Sequence, residues 1–158
     1  MKPSDIRILI ADDHEVYRDG LRMTLSREQG MLICGEARDG EELVQLAKAE
    51  APDIILTDIK MPRMDGIQAT QQITGFRPET GLIALSMFNE ESLVVDMLEA
   101  GAMGYLLKSS DKSEIIDAIR MVQQGYPYYC SSTSARLAIT ISGLRFNLYT
   151  RKAEEPLF

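Results

Sequence analysis

Five times along this 158-residue chain a short aliphatic run is followed by a stretch of helical periodicity, and this alternation restricts the fold more than any other feature. "IRILIADD" (6–13) is continuously apolar, as in a strand buried on both faces. Val16, Leu21 and Leu25 then recur at helical spacing. "LICGEARDG" (32–40) reads as a second strand, and Leu43, Leu46 and Ala47 as the face of a helix with acids in its first turn and Pro52 beyond its end. "DIILTD" (53–58) is the third strand; Ile67, Thr70, Gln71 and Ile73 carry a helix that closes between Gly75 and Pro78. "LIALSM" (82–87) precedes a helix capped by Asn89 and stopped by Gly101. "AMGYLLKSS" (102–110) leads to a last helix with Ile115, Ile119 and Val122 on one face and a capping-box-like start at Asp111 and Glu114. Strict strand–helix alternation predicts an α/β domain, a doubly wound five-stranded parallel sheet with helices on both faces, ending near Tyr126.

Residues 127–158 break the pattern. Ala135, Leu137, Ala138 and Ile141 give a weak apolar face over a short helix, and the remainder has no clear period. The expected organisation is one domain over 1–126, then a short helix and linker over 127–158.

Composition narrows the function. A formal net charge of −7 and a pI near 4.8 argue against a surface that grips nucleic acid and suit a cation better. No stretch approaches the roughly 18–20 apolar residues of a membrane span, and the first residues lack a signal peptide's apolar region. Cys34 and Cys130 make no disulfide framework, and a single histidine makes no zinc pattern. The thiols read as free cysteines of a reducing cytoplasm.

In an open parallel sheet the functional crevice lies at the carboxyl ends of the strands. Asp12 and Asp13 end strand one, Asp58 ends strand three, Ser86 lies near the end of strand four and Lys108 near the end of strand five. Asp12 alone could serve as a helix cap, and His14 reads as a surface residue of the first helical turn. Two carboxylates about 4 Å apart repel by roughly 4 kcal/mol at an effective dielectric of 20. One lysine cannot balance three of them. A divalent cation with oxygen preferences, Mg²⁺, fits that need, and it would partly neutralise an incoming phosphoryl group. Asp58 could then attack phosphorus while Lys108 and the Ser86 hydroxyl hold the other phosphoryl oxygens.

At these residues the chain resembles the receiver domain of two-component response regulators. The resemblance rests on Asp12-Asp13, on Asp58, Met61, Pro62 and Gly66 in "DIKMPRMDG", on Ser86, Tyr105 and Lys108, and covers about residues 5 to 126. "ADDHEVYRDGLRMTL" and "GYLLKSS" further resemble the NarL/FixJ subfamily, whose output is a LuxR-type helix-turn-helix. It implies a flavodoxin-like sheet of order 2-1-3-4-5 and transfer of a phosphoryl group from a sensor histidine kinase to Asp58. It implies Mg²⁺ held by Asp13, Asp58 and the Lys60 backbone carbonyl, with Asp12 assisting. Ser86 and Tyr105 would act as the switch, Tyr105 swinging inward as Ser86 turns to the phosphoryl group. The implied output is a phosphorylation-dependent homodimer that reaches promoter DNA through a domain absent from this chain, in the cytoplasm and away from membranes. Such a module assists its own phosphorylation and dephosphorylation and is not an enzyme acting on other substrates. Three positions depart from or tune the pattern. Ser109 stands after Lys108 where the family often has proline, and the bulky Lys60 and Phe88 imply slow self-dephosphorylation.

Two other functions fit less well. Haloacid-dehalogenase-type phosphatases need a second aspartate two residues after the nucleophile, where this chain has Lys60, and an inserted cap domain. A flavin or nucleotide binder needs a glycine-rich loop after strand one, where Asp13-His14-Glu15 would repel phosphate.

Overall fold

The computed structural model describes residues 4–154, with side chains described as far as residue 144. Its order is β1 (Ile6–Ala11), α1 (Glu15–Ser26), β2 (Met31–Ala37), α2 (Gly40–Glu50), β3 (Ile54–Asp58), α3 (Gly66–Phe76), β4 (Gly81–Ser86), α4 (Glu91–Ala100), β5 (Gly104–Leu107), α5 (Lys112–Gln123), β6 (Tyr128–Tyr129) and α6 (Ala135–Glu154). All neighbouring strands pair parallel, in the order β2-β1-β3-β4-β5-β6. Every residue of β3 and β4 is buried, which is why these segments carry unbroken apolar runs.

Side chains alternate between the faces of the sheet. Ile8, Ile10, Ile54, Leu56 and Leu85 pack with Leu21 and Leu25 of α1 and Ile115, Ile119 and Val122 of α5. Leu9, Ala11, Ile55, Leu82 and Ala84 pack on the other face with α2, α3 and α4. Burying a side chain of this size contributes about 1.5–3 kcal/mol, so the double cover fixes the sheet and with it the rim where β1, β3, β4 and β5 end.

The sheet has six strands where the periodicity predicts five. Tyr128 and Tyr129 pair with Gly104 and Tyr105, too short a segment to show a period. A Cβ on Gly104 would collide with the Tyr128 carbonyl oxygen, so glycine is what lets β6 approach. The last helix is likewise longer than the short one expected. Leu137 and Ile141 of α6 are buried with Val94, Met97 and Leu98 of α4.

Cap chemistry differs in two places. Glu90, not Asn89, is the N-cap residue of α4, and it makes no side-chain cap bond. Asp111 accepts from the Glu114 amide at 2.9 Å, as a cap should, while the Glu114 carboxylate turns to β6 and the turn after it instead of completing a box. A full capping box does occur on α3, between Asp65 and Gln68. Among the described residues no peptide bond is cis, Lys108–Ser109 included.

Candidate functional site

The four strand ends bring a compact charged cluster to one rim. Asp12 follows β1 and is fully buried; Asp58, the last residue of β3, is 5% exposed. The Lys108 ammonium lies 2.8 Å from Asp12 Oδ2 and 3.1 Å from Asp58 Oδ2. The Asp58 Oδ1 atom accepts the Ile59 amide at 2.8 Å. Lys108 owes its place to β-pairing, since its own amide donates to the Ser86 carbonyl at 2.9 Å. The turn after Asp58 is set by Gly66, whose amide donates to Ile59 O at 2.7 Å and whose Cβ position would collide with the Asp58 carbonyl oxygen. Any side chain there would push the end of β3 away.

Burial pushes the Asp58 carboxyl up to about 6; Asp12 adds to the rise, and Lys108 and the Ile59 amide hold it back. Burial pulls the Lys108 ammonium down, but its bond to Asp12 and the charges of both carboxylates outweigh that, leaving it above its ordinary range. One cation is therefore shared by two buried anions, with Asp13 a third at the edge. Donor atoms of Asp12, Asp13, His14 and Asp58 all lie within 4.8 Å of one another. This oxygen-rich, under-neutralised set fits a hard divalent cation such as Mg²⁺.

Ser86 is nearly fully buried, and its hydroxyl reaches toward the Leu106 carbonyl at 3.5 Å. Tyr105 lies on β5 with 3% exposure, its ring among the residues of the α4 face. The Lys60 side chain is 72% exposed and ion-paired with Glu90 at 3.5 Å. Asp12, Asp13, Asp58 and Lys108 thus converge directly, while Ser86 lines the same cleft as Lys108 and Tyr105 lies on the α4 side of β5.

Two side chains of the site were not legible as such. His14 is mostly exposed, yet its amide donates to Asp12 Oδ1 at 2.8 Å and its ring nitrogen lies 3.1 Å from the same oxygen. Tyr17 stacks under Lys108, whose ammonium is 5.1 Å from the ring centre. Burial, with Asp12 and Asp58 nearby, drives the Tyr17 hydroxyl well above its usual range. The helical spacing of residues 14 and 17 after the acid pair was the available signal, but it reads equally as an ordinary first turn. The mouth of the site opens into a cleft of about 710 Å³ lined by His14, Val16, Met87, Phe88 and Ser109. Val16 and Phe88 are each 87% exposed, an unusual apolar rim for so acidic a centre.

Comparison with known proteins agrees with the geometry. Residues 8–120 match the family model described as the response regulator receiver domain. An uncharacterized transcriptional regulatory protein, YxjL of Bacillus subtilis, is 35% identical over 156 residues, covering 99% of this chain and 72% of that protein. The transcriptional regulatory protein LiaR of Bacillus subtilis is 42% identical over 132 residues, covering 84% of this chain and 63% of LiaR. Against DegU of Brevibacillus brevis the match spans only 52% of the relative's length. Among solved structures, the receiver domain of the putative response regulator NarL from Mycobacterium tuberculosis superposes with a TM-score of 0.74 at 35% identity, covering 78% of this chain and 99% of that one.

Proposed function

This chain belongs to the response regulator receiver family, and on that premise we propose that it is the phosphoacceptor of a cytoplasmic two-component system, taking a phosphoryl group from a sensor histidine kinase onto Asp58. The observation that carries this reading is the buried Asp58 sharing Lys108 with Asp12, with Asp13 within ligand reach. Asp13, Asp58 and the Lys60 backbone carbonyl would hold Mg²⁺, with Asp12 assisting. When bound, the ion offsets the negative charge of the carboxylates and of the phosphoryl oxygens drawn into the pocket.

The protein's own groups do the rest. Asp58, with its carboxyl held near 6, is ionised at neutral pH. One of its oxygens attacks phosphorus as the phosphorus–nitrogen bond to the donor imidazole breaks and its electron pair stays on that nitrogen. Lys108 gives up its contact with Asp58 for a phosphoryl oxygen and keeps Asp12. Ser86 turns from Leu106 toward another phosphoryl oxygen. The apolar rim of Val16, Met87 and Phe88 gives a kinase helix something to bury beside the reacting atoms. The added charge, roughly −1.5 to −2, then biases the β4–α4 loop and Tyr105, favouring a homodimer. Contact with promoter DNA would come through an output domain of the kind that transcriptional relatives carry. No helix among the described residues is long and apolar enough to cross a membrane.

Incubation with acetyl phosphate and Mg²⁺ followed by intact mass measurement tests the proposal. One lasting phosphoryl adduct is expected, lost in Asp58→Asn and with chelator. Turnover of many phosphate esters with no adduct would make the protein a phosphatase instead.

A further inference from the structure

Residues 128–141 pack against α4, β5 and α5, and one of their bonds holds Tyr105. The Tyr105 hydroxyl is bonded to Thr133 Oγ1, and the Thr133 hydroxyl donates to the Cys130 carbonyl, which leaves Tyr105 as the donor of the first bond. Glu114 of α5 accepts the Ser131 amide at 2.7 Å and the Tyr128 hydroxyl at 2.9 Å. Ser134 donates to Glu91 of α4 at 3.0 Å, and Leu137 and Ile141 are buried against the same helix. Between this strap and Ser86 lies a cavity of about 90 Å³ walled by Ser86, Val94, Tyr105, Leu107, Ser132 and Leu137. Ser86 and the start of α6 therefore face one small void.

We infer that Thr133 is a positioning residue that holds Tyr105 inward, so that the docking of α6 and occupation of the Asp58 site favour each other. This rests on the phosphoacceptor reading and names how that site is coupled to the chain's last helix. A buried tyrosine hydroxyl without a partner is costly, so removing the Thr133 oxygen drives the ring outward. When Ser86 turns from Leu106 toward a phosphoryl group, its volume is added to the cavity. An inward Tyr105 ring keeps that void small; an outward ring enlarges it, and voids destabilise in proportion to their size. Linkage makes the effect reciprocal: a strap that favours the turned Ser86 is itself tightened by a phosphoryl group. Helix α6 then carries the state of the site away from the sheet.

The test is binding of beryllofluoride with Mg²⁺, a phosphoryl mimic, to the full chain and to its variants, by calorimetry. Thr133→Val weakens binding about three- to tenfold, and Thr133→Ser restores it. Tyr105→Phe in the Thr133→Val background restores binding to the level of Tyr105→Phe alone, since a phenylalanine ring has no hydroxyl to leave unpaired and replacing both partners by apolar groups is nearly neutral. Amide exchange in 128–141 slows on ligand binding in wild type and not in Thr133→Val. A merely structural role for Thr133 would not produce that suppression. Wild-type affinity in Thr133→Val, a double variant weaker than either single one, or a strap indifferent to ligand would overturn the inference alone. Failure of wild type to bind the mimic would instead remove the phosphoacceptor reading and this inference with it.

Discussion

Replacing Asp58 by asparagine should make the metal-free protein more stable, by an amount that depends on pH. In the fold the Asp58 carboxyl titrates at about 6 against an ordinary 3.8, chiefly because it is buried. A carboxylate with a raised folded pKa contributes its full stability below pH 3.8 and loses it as the pH climbs through 6. Roughly two units at 1.36 kcal/mol each give a cost of about 3 kcal/mol at pH 7.5 and about half that at pH 5. Asparagine has nothing to ionise, and Lys108 keeps Asp12 at 2.8 Å as its partner. Urea unfolding with chelator present should therefore find Asp58→Asn more stable by up to about 3 kcal/mol at pH 7.5, with the advantage halved at pH 5. Mg²⁺ should close the gap by stabilising wild type only. A variant less stable than wild type at pH 7.5, or an advantage that ignores pH, would refute the reading that burial destabilises the ionised Asp58 carboxylate.

Lys108→Met leaves the buried Asp12 without its cation, at a cost of about 3 kcal/mol, and moves the Asp58 carboxyl above 6; unchanged urea stability would count against the shared-cation geometry. Gly66→Ala forces a Cβ against the Asp58 carbonyl oxygen, and its expected result is at least a tenfold loss of beryllofluoride affinity, read by calorimetry. Phe88→Ala, which thins the rim of the cleft, and Lys60→Ala, which removes the ion pair with Glu90, should each shorten the phosphoryl half-life; equal half-lives would show that neither screens water.

The central sheet was legible because strands buried on both faces must be apolar throughout, as Ile54, Ile55 and Leu56 are. Polar residues at the ends of such runs then stand out, which is how Asp58, Ser86 and Lys108 could be placed on one rim. Other features depend on distant partners and leave no period. Tyr128 and Tyr129 are a strand only because Gly104 leaves room for them. The Tyr105–Thr133 bond joins residues 28 positions apart and uses a threonine that nothing local distinguishes. Glu114 looked like half of a capping box because the spacing from Asp111 is right; the competing bonds from Tyr128 and Ser131 are tertiary.

Locating the phosphoryl group tests the central claim most directly. After reaction with acetyl phosphate and Mg²⁺, an acyl phosphate can be trapped by borohydride reduction and its residue identified by peptide mass spectrometry. The account requires one reduced aspartate, at Asp58, and none when Mg²⁺ is withheld. A phosphoryl group found instead on Asp12, Asp13, His14 or Ser86, or formed equally well without the ion, would contradict it.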